Sequence, residues 1–158
     1  MAEDEQIEHI LNRIKETITA NGGTIRELED HSLIMDLMNL PATYDAPINI
    51  HIGGAYGDRE VTAAQWVMNF KKLSTNLRSR LTIENDEMCW GIDASLELIH
   101  NCALVLDLHH HWVSTGEYIQ FNDDRFKKMI DSWRGVRPVI HYSVSKEGLW
   151  GNQNPDPG

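Results

Sequence analysis

The residues best equipped for chemistry in this 158-residue chain sit at the ends of short apolar runs. INIHIGG carries His51 and RLTIEND carries Glu84. ALVLDLHHH carries Asp107 ahead of three consecutive histidines, and PVIHYSVS carries His141. On the alternation of a β-strand, Asn49 and His51 share one face, opposed to Ile48, Ile50 and Ile52. By the same rule Thr82 and Glu84 oppose Leu81 and Ile83, and His141 opposes Ile140. Each run thus offers one imidazole or carboxylate near its C-terminal end. That set suits Zn²⁺ or Mn²⁺. Carboxylates can bridge two ions while imidazoles pin each one. Such clusters lower the pKa of bound water and stabilise both oxygens of a phosphodiester displacement. Any one of these residues alone is ordinarily a hydrogen-bonded histidine or a capping acid; their recurrence on successive runs points to metal. The same ligand logic serves nucleases and sugar isomerases.

The elements that must position these residues alternate between helix and strand. Residues 4–19 have Ile7, Ile10, Leu11, Ile14 and Ile18 at helical spacing, behind an acidic start. Asn21-Gly22-Gly23 supplies a stop. A second helix starts at about Thr24, where Thr24 and Glu27 fit a capping box, and a third covers residues 58–77. Short helices are expected over residues 93–101 and from Phe121 to Trp133. The third strand, ALVLDLHHH, is nearly continuously apolar before its histidines, as a strand covered on both faces would be. The tail GNQNPDPG is rich in turn formers. Strands separated by helices indicate parallel βα units, which place chemistry at the C-terminal strand ends.

Composition narrows the class. A hydrophobic fraction of 41% is ordinary for a globular chain. The acidic start MAEDEQIEHI lacks a signal-peptide core, and no apolar stretch approaches the roughly 18–20 residues of a membrane span. A cytoplasmic protein with no membrane contact is expected. Cys89 and Cys102 lack metal-ligand spacing and read as reduced, packed side chains. The net charge of −10 argues against a broad basic face for nucleic acid. It leaves room for a groove made cationic by divalent ions.

IHIGGAYGDRE, RLTIENDE, LDLHHH and PVIHYSVS, in this order, resemble the UV damage endonuclease family. TIRELEDHSLIMDLM resembles the helix before the first of these strands. The likeness runs from about Thr24 to about Lys146, and ENDE combined with DLHHH is its most specific part. It implies a TIM barrel with up to three divalent ions, more often Mn²⁺ than Zn²⁺, that nicks DNA 5′ to UV photoproducts. Carried across, His51 resembles a ligand of the first ion, and Glu84 the carboxylate bridging the first two. Asp107 and His141 resemble ligands of the second, and His110 a ligand of the third. Glu84 and Asp107 would carry the catalysis through bound metal. Strand alternation pairs His109 with Asp107, whereas the family's D-x-x-H spacing selects His110. The two agree if the strand ends near Leu108 and the backbone turns there. His109 and His111 then support the ligands or face DNA, as do Asn85 and Tyr56.

The likeness covers the middle and later strands of such a barrel. The expected fold is therefore α/β, an incomplete TIM-barrel-like (β/α) fold with about four parallel strands and flanking helices. Residues 1–22 form an acidic helix outside the resemblance, 23–150 the partial domain and 151–158 a loose tail. An early HPGQ-like motif, a last metal-binding Glu and a later histidine have no counterpart, and Val139 stands where some relatives carry lysine. A truncated chain of this kind is expected to form a homo-oligomer, or to take the missing barrel half from a partner chain, and to bind UV-damaged DNA if active. The alternative is a non-catalytic fragment acting through metal binding or assembly. A sugar-isomerase-like activity ranks third, since only Lys146 offers a strand-end lysine.

Overall fold

The computed structural model describes residues 25–55 and 57–143. Within them the chain runs α1 (Ile25–Leu37), β1 (Ile48–His51), α2 (Arg59–Lys72), α3 (Thr75–Arg80), β2 (Leu81–Glu84) and α4 (Ile92–Leu96). It continues through β3 (Ala103–Asp107), α5 (Leu108–Thr115), α6 (Asp124–Ser132) and β4 (Ile140–His141). The strands form one sheet in sequence order, and every neighbouring pair is parallel. This is the half-barrel arrangement that alternating βα units produce. Among the described residues no helix is long and apolar enough to cross a membrane.

The core lies between the outer face of the sheet and the helices. Leu81, Ile83, Leu104 and Leu106 point outward from the two central strands and are almost wholly buried. Leu77, Trp90, Met129 and Trp133 complete the same cluster. The short β4 pairs only with Leu106 and Asp107, which leaves Leu104 without a strand neighbour on that side. Side chains take over its hydrogen bonds. The Leu104 amide donates to Ser132 Oγ (3.1 Å), and Trp133 Nε1 donates to the Leu104 carbonyl (2.8 Å). Both partners end α6, so this helix is tied to the sheet by polar bonds as well as by packing.

Several boundaries differ from the sequence expectation, each for a local reason. The third strand stops at Asp107 rather than running through the histidines, because the Asp107 side chain accepts the His110 amide and starts α5. The helix expected over 58–77 breaks at Leu73. Ser74 starts a separate α3 by accepting from the Leu77 amide. The helices expected over 93–101 and 121–133 are shorter, α4 ending at Leu96 and α6 starting at Asp124 under the Asp123 cap. The helix expected over 4–19, the Thr24 cap, Tyr56, the end of PVIHYSVS, Lys146 and the tail lie outside the described residues.

The α1 helix is fixed to α3 largely through polar contacts. Asp36 accepts from Asn76 Nδ2 (2.7 Å) and from Arg80 (2.6 Å), and Ser32 donates to Asn76 (2.6 Å). The Arg80 side chain is fully buried, whereas that of Asp36 is 38% exposed. Removing the carboxylate strands a buried guanidinium. Asp36→Ala should cost about 2 kcal/mol, discounted because one partner meets solvent; urea unfolding reads the loss. Cys102 gives a second expectation. Burial pushes its thiol up to about 12, so it should resist alkylation at neutral pH. Cys89 is only half-buried. Iodoacetamide followed by mass spectrometry should modify Cys89 in the native protein and Cys102 only after denaturation.

Candidate metal centre

The inner face of the sheet carries the chemistry, and register assembles it. His51 is paired with Glu84 across β1 and β2, and Asp107 with His141 across β3 and β4. Each pair puts an imidazole from an outer strand beside a carboxylate from a central one. Glu84 and Asp107 are both buried. One ligand atom each from His51, Glu84 and His110 lies within 4.8 Å of the others, and the same holds for Glu84, Asp107 and His141. Glu84 therefore belongs to both groups.

Both Glu84 oxygens are engaged. His141 Nδ1 lies 2.7 Å from Oε1. Oε2 accepts from Asn49 Nδ2. Asn49 Oδ1 in turn accepts from Thr82 Oγ1 at 3.0 Å. This chain orients the carboxylate along the inner face. Sequence reading placed Asn49 on the His51 face without assigning it a role. The available signal was the pairing of Asn49 with Thr82 two residues before the His51–Glu84 pair, on the same face.

Asp107 is held by its backbone. Asn85, fully buried, accepts from the Asp107 amide (2.8 Å) and donates to the Asp107 carbonyl (3.0 Å). An amide side chain can match one residue's N–H and C=O at once. Asn85 was expected to support the ligands or to face DNA. The structure buries it and turns its amide onto the Asp107 backbone.

The three histidines diverge because Asp107 turns the chain into a helix. His110, on the first turn of α5, swings back over the sheet and lies edge-on to His51 at 5.4 Å. The resemblance placed His110 at a third ion; the structure groups it with His51 and Glu84. His109 stacks on Trp112 at 6.3 Å, and Trp112 on the exposed Tyr118. His111 is buried in a cleft shared with Arg125 and Ser114, and its Nε2 finds no hydrogen-bond partner among the described residues. Burial, then the nearby Arg125 charge, hold its pKa below the usual imidazole range.

The donor set fits a divalent ion. It mixes carboxylate oxygens with imidazole nitrogens, the set suited to Zn²⁺ or Mn²⁺. Two carboxylates converge in a buried place, and among the described residues their ion pairs run to histidines alone. A bound cation would compensate them more fully than a neutral imidazole.

A parallel βα sheet with its acids and imidazoles gathered at the C-terminal strand ends defines a TIM-barrel-like α/β protein. A family model described as UV-endonuclease UvdE matches residues 8–155, and the chain belongs to that family. The match starts inside the acidic segment that the motif resemblance left out. The chain is 30% identical over 136 residues to a UV DNA damage endonuclease of Bacillus velezensis, covering 84% of this chain and 41% of that one. It is 31% identical over 137 residues to a UV-damage endonuclease of Neurospora crassa, covering 78% of this chain and 21% of that one. The crystal structure of SacUVDE superposes with a TM-score of 0.67 at 28% identity, over 78% of this chain and 41% of that one. The chain thus spans less than half the length of the relatives it matches.

The Asn85 clamp can be checked by substitution. Asn85→Ala should leave the buried Asp107 amide without a partner, at about 1–3 kcal/mol, and leave the Asp107 carbonyl with only its intrahelical donor. Chemical denaturation reads the total. Amide hydrogen exchange at Asp107 should rise relative to Leu106.

Proposed function

We propose that this chain carries the metal-binding face of a DNA repair endonuclease that nicks DNA 5′ to UV photoproducts. The observation that carries the reading is Glu84. One buried carboxylate belongs to both three-residue groups, as a residue bridging two divalent ions must. Family membership supplies the substrate class. The proposed ligands are His51, Glu84, Asp107, His110 and His141. Mn²⁺ is preferred to Zn²⁺ on the family resemblance, and the two carboxylates are compatible with it.

When bound, the ions supply an activated water and positive charge for the attacking and leaving oxygens of a phosphodiester. The chain's own residues do the rest. Glu84 and Asp107 hold negative charge in a low-dielectric place, and Asn49 and Asn85 fix how each is presented. The imidazoles of His51, His110 and His141 close the ring around them. No side-chain nucleophile is needed. DNA would cross the C-terminal strand ends, where His109 with its stacked Trp112 and Tyr118 offers planar surface to bases.

A second reading is favoured by the open flanks of the site. His51 is exposed, the His141 side chain is 44% exposed, and both sit on the outer strands of the described sheet. Further strands beside β1 and β4 would complete a site built this way, and the assembly reading takes them from a second copy or a partner chain. Binding or assembly without cutting is then the alternative.

One experiment separates these readings: incision of a UV-irradiated duplex with Mn²⁺, comparing wild type with Glu84→Gln. Solution mass is recorded on the same samples. Losing a bridging ligand should lower the rate by about 100-fold or more, since several kcal/mol of charge stabilisation go with it. Metal-loaded protein of defined mass that leaves the duplex intact would favour the assembly reading. Nicking that survives both Glu84→Gln and a chelator would sink the metal mechanism.

A further inference from the structure

We propose that Glu87, outside both ligand groups, is a positioning residue that selects which nitrogen of His110 faces the site. The proposal rests on His110 being a metal ligand, as read above. Glu87 Oε2 lies 2.6 Å from His110 Nδ1, while His110 Nε2 points the other way and lies 3.9 Å from Asp107 Oδ2. An ionised carboxylate can only accept, so a contact this close requires a proton on Nδ1. A neutral imidazole has one lone pair, and here it must sit on Nε2, the nitrogen on the Asp107 side. Metal-ligating histidines regularly donate their second ring N–H in this way, which fixes the tautomer and raises ligand basicity.

Local structure places Glu87 for this task. The preceding residue, Asp86, closes a tight turn. Its Oδ1 accepts from the amides of Met88 (2.8 Å), Cys89 (2.6 Å) and Trp90 (3.0 Å), and its own amide donates to the Trp90 carbonyl (2.9 Å). Glu87 projects from this turn across the gap to the first turn of α5. His110 enters the same gap because the Asp107 cap sets where α5 begins. Two capped segments thus meet at a carboxylate–imidazole contact. The Glu87 and His110 side chains are 35% and 27% exposed, so the contact is shielded in part but open to exchange with solvent.

The test measures binding and tautomer rather than cutting. Zn²⁺, which is diamagnetic, is titrated into the 158-residue chain, and the ring nitrogens of His110 are read by long-range ¹H–¹⁵N correlation. Wild type should show a protonated Nδ1 and a metal-bound Nε2. Glu87→Ala should lose about 10–100-fold in Zn²⁺ affinity. In that variant the metal-free ring should populate both tautomers. Glu87→Gln, whose amide oxygen still accepts a hydrogen bond, should lie between the two. Circular dichroism of both variants should match wild type. If Glu87→Ala binds as tightly as wild type with the same tautomer, the positioning role is overturned while the metal reading stands. If wild type binds no Zn²⁺, or binds it without His110, the metal reading fails and this proposal with it.

Discussion

Two carboxylates held out of water, side by side, at the end of an apolar sheet are the constraint around which this molecule is arranged. Glu84 and Asp107 end the two central strands, both of which are buried along their whole length. Solvent therefore does little to screen them, and like charges so placed repel. The inner face answers with donors. Asn49 and His141 occupy the two Glu84 oxygens, and the His110 amide takes one oxygen of Asp107. The imidazoles arrive from both outer strands and from α5, so the ring of donors surrounds the acids. Such a site is poised for a cation.

Asp107 does more than any other single residue. It is the last residue of β3, the N-cap of α5, a member of the Glu84–His141 group and the backbone partner of Asn85. These roles support one another. Capping turns the chain from extended to helical, and that turn brings His110 rather than His109 toward the sheet. The Asn85 bonds stop the strand end from fraying where the turn begins. A β-strand end is normally a place of low local stability. Here side-chain hydrogen bonds replace the missing ladder, as they do at the other end of β3, where Ser132 and Trp133 serve Leu104.

Much of this was readable from residue order. Alternation in INIHIGG and RLTIEND placed His51 and Glu84 on one face, because a strand's period of two leaves no freedom once one face is apolar. The four parallel strands followed from helices separating apolar runs. What alternation could not settle was where a strand stops. Asp107 followed by Leu108 looks like continued strand, since a capping aspartate and a strand aspartate are the same letter; only the His110 amide folding back onto it distinguishes them. Asn85 and Glu87 were obscured for a related reason. Both act through partners distant in sequence, one on the backbone of Asp107, the other on the ring of His110, and short-range periodicity carries no information about such bonds. The short β4 was a further limit, because two paired residues do not make a period.

Register explains how such a site and such a core can be specified together. The proposed ligands on the strands form two cross-strand pairs, His51 with Glu84 and Asp107 with His141, while Ile50 with Ile83 and Leu106 with Ile140 form the pairs one step back. Slipping β1 by one residue against β2 would set an isoleucine beside Glu84 and turn His51 into the helix layer. That error costs twice, once in buried apolar area and once in an acid left without its donors. Misregistered sheets are therefore penalised at both faces. The hydrophobic face needs the register that places the ligands, and the ligands need the register that buries Leu81, Ile83, Leu104 and Leu106.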